Sequence, residues 1–208
     1  MAHTDIETLV ELLRKLPGVG VRQARRIAYF IMRSGKAYAQ SLSDAVTDLA
    51  AKTALCGACN RLFEISNQSN QITCSRCGDS SYDDGLLMIV HKEVDLESIE
   101  MTGGYLGRFF VLGSLLPLTT RSKREALPID KLQKLVKKHS ITGVLKEIIC
   151  ALPVTAEGEA TTAHLKDVLR RVVDDKVLIT ELGRGLSTGT ELEYIDRSTL
   201  EGALRNRA

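Results

Sequence analysis

Tryptophan is absent, and aromatic residues make up only 4% of the 208-residue chain. So thin a supply argues against a broad aromatic platform for stacking nucleobases. Long apolar runs are missing as well: none approaches the roughly 20 residues of a membrane-spanning helix. The opening stretch MAHTDIETLVELL carries acids and has neither the basic start nor the apolar middle of a secretion signal. A cytoplasmic location and no membrane partner are therefore expected. No sign of charge dominates, because the formal net charge is only +2. Any grip on nucleic acid must then come from a local basic patch. The motifs G-x-S-x-G, G-x-x-x-x-G-K-[ST] and H-E-x-x-H do not occur. The glycine-rich run GRGLSTGT at 183–190 lacks the closing lysine of a phosphate-binding loop. With 44% hydrophobic and 26% charged residues the chain has an ordinary globular composition.

Cysteine is scarce but concentrated. Four of the five cysteines form two C-x-x-C pairs, Cys56 with Cys59 and Cys74 with Cys77, separated by fourteen residues. Two such knuckles can place four thiolates around one tetrahedral ion. In a reducing compartment a metal is favoured over a disulfide. The alternatives are a disulfide pair or a redox C-x-x-C, and neither explains two pairs. We expect one structural Zn per chain, because four thiolates leave no position open for substrate water. Between the knuckles, Arg61–Ile65 alternates like a strand, with 71–73 as its expected partner across the polar turn 66–70. The fifth cysteine, Cys150, reads as a buried strand residue. His139 and His164 have no ligand partners at metal spacing and read as structural or surface groups.

Upstream, helical periodicity runs over Asp5–Lys15, with Thr4 or Asp5 as its cap. The break Leu16-Pro17-Gly18-Val19-Gly20 is followed by a helix from Val21 toward Met32. Helix, Pro-Gly-x-Gly turn, helix is the pattern of a helix-hairpin-helix. The second helix of such a unit offers free backbone N–H groups and its dipole to a phosphate oxygen. Gly18, Gly20, Arg22, Arg25 and Arg26 are the expected DNA-binding residues, holding the backbone without reading bases. The alternative is a plain helical hairpin whose arginines face solvent. Ser34-Gly35-Lys36 is expected to close this helix. A third is expected over Leu42–Ala54, capped by Ser43 or Asp44, with Leu42, Val46, Leu49 and Ala50 on its apolar stripe.

After Tyr82 strands and helices alternate. Strands are expected at Leu86–Val90, Phe109–Leu112, Val144–Leu152 and Lys176–Leu182. Helices are expected at Asp95–Met101, Ile129–Lys138, Glu157–Val173 and, last, Thr199–Arg205. Alternation of this kind gives a mainly parallel sheet covered by helices. The basic run Arg121-Ser122-Lys123-Arg124 sits in a long connection. It reads as a solvated loop, with a second nucleic-acid contact as the alternative.

The order of parts, and the stretches LPGVGVRQARRIA at 16–28, the knuckles, IEMTGGYLGRFFVLGS at 99–114, AEGEATTAHL at 156–165 and RGLSTGTELEYID at 184–196, resemble the RecR family of bacterial recombination mediators. The resemblance implies a multi-domain α+β protein. Its expected parts are a helix-hairpin-helix domain at 1–54, a four-cysteine zinc module at 55–80, a Toprim-like α/β domain at 81–182 and a C-terminal loop and helix at 183–208. It implies a non-catalytic, clamp-like homo-oligomer, a dimer or tetramer, associated with the nucleoid. Such a protein helps load recombinase at gapped or single-stranded DNA, with RecO and RecF as partners. By resemblance Arg22 and Arg26 take the DNA-contact positions, and Cys56, Cys59, Cys74 and Cys77 the zinc positions.

Toprim enzymes hold Mg²⁺ with a carboxylate after the first strand and an aspartate pair after the third. Here His91 takes the first position, with Glu93 two residues on, and Pro153 and Thr155 take the pair. That set is short of hard oxygen ligands. Glu157 and Glu159 are then expected as partner contacts, or as acids that complement a helix N-terminus. The alternatives to a mediator are a Mg-dependent Toprim nuclease or topoisomerase-like enzyme using His91, Glu93, Glu157 and Glu159, and a zinc-ribbon adaptor that binds only protein. The knuckles are expected to fix the geometry between the hairpin and the α/β body.

Overall fold

A computed structural model describes residues 5–65, 73–118, 127–141, 143–183, 185–186, 189 and 191–205. The cap Thr4, the turn 66–70, the strand partners Gln71 and Ile72, the basic run 121–124 and Arg184 lie outside the described residues. The chain divides into two compact units, Met1–Thr53 and Ala54–Ala208.

The first unit is helical: α1 (Asp5–Leu13), α2 (Val21–Arg33) and α3 (Gly35–Lys52). Helix α1 stops at Leu13, short of the expected Lys15. Tight turns from Lys15 N–H to Leu12 O and from Leu16 N–H to Leu13 O, both 3.1 Å, close it ahead of Pro17. A proline disfavours helical geometry in the residue before it, which sets that limit. Val10 packs on Ala24 and Ala28, with Leu9, Leu13 and Val19 around them. The two alanines, one helical turn apart, let α1 approach α2 closely.

Helix α3 starts seven residues earlier than expected. Ser34 alone separates it from α2, because Gly35 takes φ +88° and turns the chain in a single step. The expected caps Ser43 and Asp44 are interior: Thr47 Oγ1 donates to Ser43 O and Gln40 Nε2 to Asp44 Oδ1, both at 2.8 Å. No residue of α3 is buried, so Leu42, Val46 and Leu49 form an exposed stripe rather than a core face.

Strand β1 (Thr53–Leu55) begins at the boundary between the units and pairs with β2 (Leu62–Glu64). The inter-knuckle strand thus pairs with a segment that precedes the first knuckle, while most of its expected partner, Gln71 and Ile72, lies outside the described residues. Helix α4 (Ser75–Gly78) is a single turn. Then come β3 (Asp83–Val90), α5 (Glu93–Met101), β4 (Gly107–Val111), α6 (Ile129–Ile141), β5 (Glu147–Ala151), α7 (Ala156–Arg170), β6 (Leu178–Glu181) and α8 (Arg197–Arg205). The sheet runs β4-β3-β5-β6 and every pairing in it is parallel.

Alternation along β3 splits the core in two. Leu87 and Ile89 face α6 and α7, meeting Phe110, Leu132, Val136, Ile148, Leu165 and Leu169. Met88 and Val90 face α5, meeting Leu96, Phe109 and Val111. The apolar runs Leu86–Val90 in β3 and Phe109–Val111 in β4 are what a sheet covered on both faces requires. Among the described residues no helix is long and apolar enough to cross a membrane.

Candidate metal centre and nucleic-acid interface

Each knuckle is shaped by its own backbone. In the first, Asn60 N–H donates to Cys56 O at 3.0 Å and Cys56 N–H to Arg61 O at 2.8 Å. Asn60 sits at φ +60°, a left-handed position that asparagine tolerates better than most residues. In the second, the N–H groups of Cys77 and Gly78 both reach Cys74 O, at 3.1 and 3.2 Å. These turns aim four sulfurs inward, and the ligand atoms of Cys56, Cys59, Cys74 and Cys77 all lie within 4.8 Å of one another.

Four sulfurs about 2.3 Å from a tetrahedral ion lie about 3.8 Å apart. The Cys59 Sγ to Cys74 Sγ distance is 3.6 Å, so the donor set fits such an ion. Cys74 N–H donates to Cys56 Sγ at 3.3 Å, which favours a thiolate there. Hydrogen bonding from Cys59, Cys74 and Cys77 draws the Cys56 thiol down, while hydrogen bonding with Cys56, Cys74 and Cys77 and then burial push the Cys59 thiol up. Four sulfurs this close together in a largely buried site suit a divalent cation. Among the described residues this is the only group of three or more His, Cys, Asp or Glu side chains close enough to hold a metal ion.

The knuckles are also bonded to the sheet. Val111 N–H, on the outer side of edge strand β4, donates to Cys59 O at 2.9 Å. Asn60 Nδ2 donates to Val111 O at 2.8 Å, and Arg76 Nη2 donates to Gly107 O at 2.9 Å. The knuckles therefore satisfy a row of backbone groups that an open sheet edge leaves exposed. Arg76 is the centre of this junction. Its Nη1 donates to Glu100 Oε1 at 2.6 Å, its carbonyl accepts from Arg108 Nη1, and its guanidinium lies 3.9 Å from the Tyr82 ring centroid and 4.7 Å from that of Phe109. Sequence reading passed over Arg76 and Asn60, since nothing local marks a residue inside C-x-x-C or after it as a docking group.

In the helical unit, Gly18 takes φ +76° and Gly20 is the residue before α2, with no side-chain cap on that helix. The first N–H groups of α2 are left to outside acceptors. A β-carbon at Gly20 would meet nothing within 4 Å, so this approach is open. Arg22, Arg25 and Arg26 are all exposed. They do not act alike. Arg25 lines the groove between α1 and α2 beside Glu7, Glu11 and Arg14. Arg22 and Arg26 do not line it and make no ion pair with a described residue. Arg33, overlooked in the sequence, continues their side of the helix. Helix α2 holds four arginines and no acid, a local concentration that the net charge of +2 conceals.

At the carboxyl end of the sheet, His91 follows β3, half-buried, and burial lowers its pKa first, with Lys92 adding to the shift. Pro153 and Thr155 follow β5. Thr155 caps α7, its Oγ1 accepting from Gly158 N–H at 3.1 Å. A β-carbon at Gly158 would fall 1.9 Å from Pro153 O, so this turn admits only glycine. Glu157 and Glu159 are exposed in the first turn of α7, and Glu159 lines a cavity with Cys150, Pro153, Thr162, Glu181 and Thr199. His91, Glu93, Glu157 and Glu159 do not form a metal-binding group. Cys150 is buried, and burial pushes its thiol up to about 11.

Comparison with known proteins covers nearly the whole length. The family model described as RecR, helix-hairpin-helix matches residues 6–50, a Toprim-domain model matches 85–182, and the model described as RecR, C-terminal matches 185–208. Recombination protein RecR of Acidithiobacillus ferrooxidans is 38% identical over 204 residues, 98% of this chain and 95% of that one. The proteins of the same name from Rhodospirillum rubrum and Acidobacterium capsulatum are 35% identical over 208 residues and 34% over 200. These cover 100% and 96% of this chain, and 98% and 94% of the relatives. With three family domains in order and this identity from end to end, the chain belongs to the RecR family.

Proposed function

We propose that the chain is a non-catalytic DNA-binding mediator of recombination in DNA repair. In this reading it is a clamp-like homo-oligomer, a dimer or tetramer, in the nucleoid-associated cytoplasm. It helps load recombinase at gapped or single-stranded DNA with RecO- and RecF-type partners. The observation that carries the reading is α2: an arginine-only charged helix that begins at an open Gly-Val-Gly turn. Backbone N–H groups at its start and the guanidinium groups of Arg22 and Arg26 suit consecutive phosphates of one strand. Gly18 and Gly20 shape that approach, and Arg25 reinforces it from the groove. The name of the relatives, recombination protein, agrees with such a role.

Zinc, one per chain, fits the four sulfurs and supplies a structural crosslink. A binding role for the α/β domain is supported by its carboxyl edge. Where an Mg²⁺ site needs carboxylates, the chain presents a histidine, a proline and a capping threonine. Glu157 and Glu159, exposed in the first turn of α7, are the proposed contacts for a protein partner.

Salt titration of DNA affinity tests the reading. Replacing Arg22 and Arg26 by Ala should weaken binding to every sequence and reduce the slope of log K against log salt by about 2. An unchanged slope removes the hairpin from the DNA interface. Cleavage or relaxation of plasmid DNA by purified protein with Mg²⁺ or Mn²⁺ would show the domain to be an enzyme instead.

A further inference from the structure

Although aromatic residues are few, three of them fall on the helical unit and all three are exposed: Tyr29 is 52%, Phe30 59% and Tyr38 43% accessible. Tyr29 and Phe30 sit on α2 itself. With Gln23, Arg26, Ile27 and Arg33 they line an open hollow of about 570 Å³. The spacing from Gln23 through Arg26, Ile27 and Phe30 to Arg33 is that of one helix face. Tyr38 of α3 meets Phe30 edge to face, with ring centroids 5.8 Å apart and planes at 82°, which braces the ring. The floor is therefore apolar and aromatic, and the rim carries two guanidinium groups that pair with no described residue.

We propose that this hollow seats an unpaired DNA base, with Tyr29 and Phe30 as its stacking surfaces. The inference rests on the DNA reading above and adds the part of the ligand that α2 takes beyond phosphate. A nucleotide brings a flat ring and an anionic phosphate together, which is what an aromatic floor with an arginine rim accommodates. A purely apolar partner would bury Arg26 and Arg33 without partners, at a cost. From Arg22 to Tyr29 is seven residues of one helix, about 10 Å. A strand held by its phosphates at the start of α2 therefore carries its next bases past the hollow. Gln23 offers amide donors and an acceptor to a base edge without committing to one base. Bases inside an intact duplex cannot use the site, so α2 distinguishes a gap or a single strand from a blunt duplex.

The test is affinity of the full chain for a single strand, a gapped duplex and a blunt duplex, read by fluorescence anisotropy. Light scattering follows assembly size alongside. Tyr29→Ala with Phe30→Ala should weaken binding to the first two DNAs by about 5- to 100-fold and leave the blunt duplex within about twofold. Tyr29→Phe, which keeps the ring, should bind like the parent. A 2-aminopurine in the single strand should be quenched by the parent and not by the double variant. Equal loss on all three DNAs, no loss on any, or dissociation of the assembly in the double variant overturns the proposal; the last outcome would make the hollow a subunit contact. Arg22→Ala, outside the hollow, separates the two ideas. If it weakens all three DNAs while the aromatic variants have no selective effect, phosphate binding stands and the base seat falls. If it weakens none, the DNA reading falls as well.

Discussion

Replacing Arg76 by alanine should loosen the metal knuckles from the α/β sheet. The side chain is only 10% exposed, and its guanidinium makes hydrogen bonds of 2.6 Å to Glu100 and 2.9 Å to the Gly107 carbonyl. Each charge-assisted bond is worth about 1.5–3 kcal/mol. Stacking on Tyr82 and Phe109 adds roughly 1–2 kcal/mol. The sum overstates the effect for three reasons. Arg76 Nε is buried without a partner among the described residues, Glu100 is 29% exposed, and Arg61 remains 3.5 Å from the same carboxylate. Solvent screening and the surviving ion pair reduce the net loss to about 3 kcal/mol.

Because the knuckles whose four cysteines could hold a metal ion also dock on β4, part of this loss should appear in metal retention. The full amount corresponds to about a hundredfold weaker binding. The assay has two readouts: the urea midpoint of the second unit by circular dichroism, and metal transfer to a coloured chelator. Arg76→Lys keeps the charge but loses the planar fork, and should fall between parent and alanine variant. An alanine variant with the parent's urea midpoint and transfer rate would refute the docking role.

Other perturbations reach neighbouring features. Chelating the metal, or Cys56→Ser or Cys77→Ser, should increase hydrogen exchange at Gly107–Val111 and cause aggregation before DNA binding is lost, because the edge of β4 is uncovered. Metal analysis with mass-spectrometric exchange checks this. Gly158→Ala places a methyl against Pro153 O and should destabilise the second unit by about 2 kcal/mol or more, read as a lowered Tm. His139 is held below its ordinary 6.5, chiefly by burial, with Asp84 pulling the other way and Lys138 and Arg108 adding to the depression. The unfolded chain then binds the proton more readily. The related stability is complete above pH 6.5 and lost as pH falls through the lower folded value. His139→Gln should therefore show a smaller drop in urea midpoint than the parent between about pH 7.5 and pH 5.5, with the remaining drop partly due to His91, shifted in the same direction.

Features encoded within a few residues were legible from the sequence. The Cys-x-x-Cys spacing fixes the knuckle turns, Pro17 stops α1, and the alternation after Tyr82 announces a parallel sheet. What the sequence did not reveal depends on contacts between distant segments. The pairing of β2 with β1 was not anticipated because strand pairing is a long-range choice. The start of α3 was missed because a positive φ at Gly35 replaces a linker that composition seemed to require. Arg76 and Asn60 became important only when β4 arrived beside them.

The amino-acid sequence alone determined the four-cysteine cluster that could hold a metal ion, the hairpin turn and the arginines behind it, because turn geometry and ligand spacing are local. Only the tertiary structure decided that the knuckles cap the sheet edge, and that Arg25 lies in the α1–α2 groove while Arg22 and Arg26 do not. It also decided that three of a small number of aromatic rings stand exposed on the helical unit. Those outcomes depend on which surfaces packing covers, and no single segment carries that information.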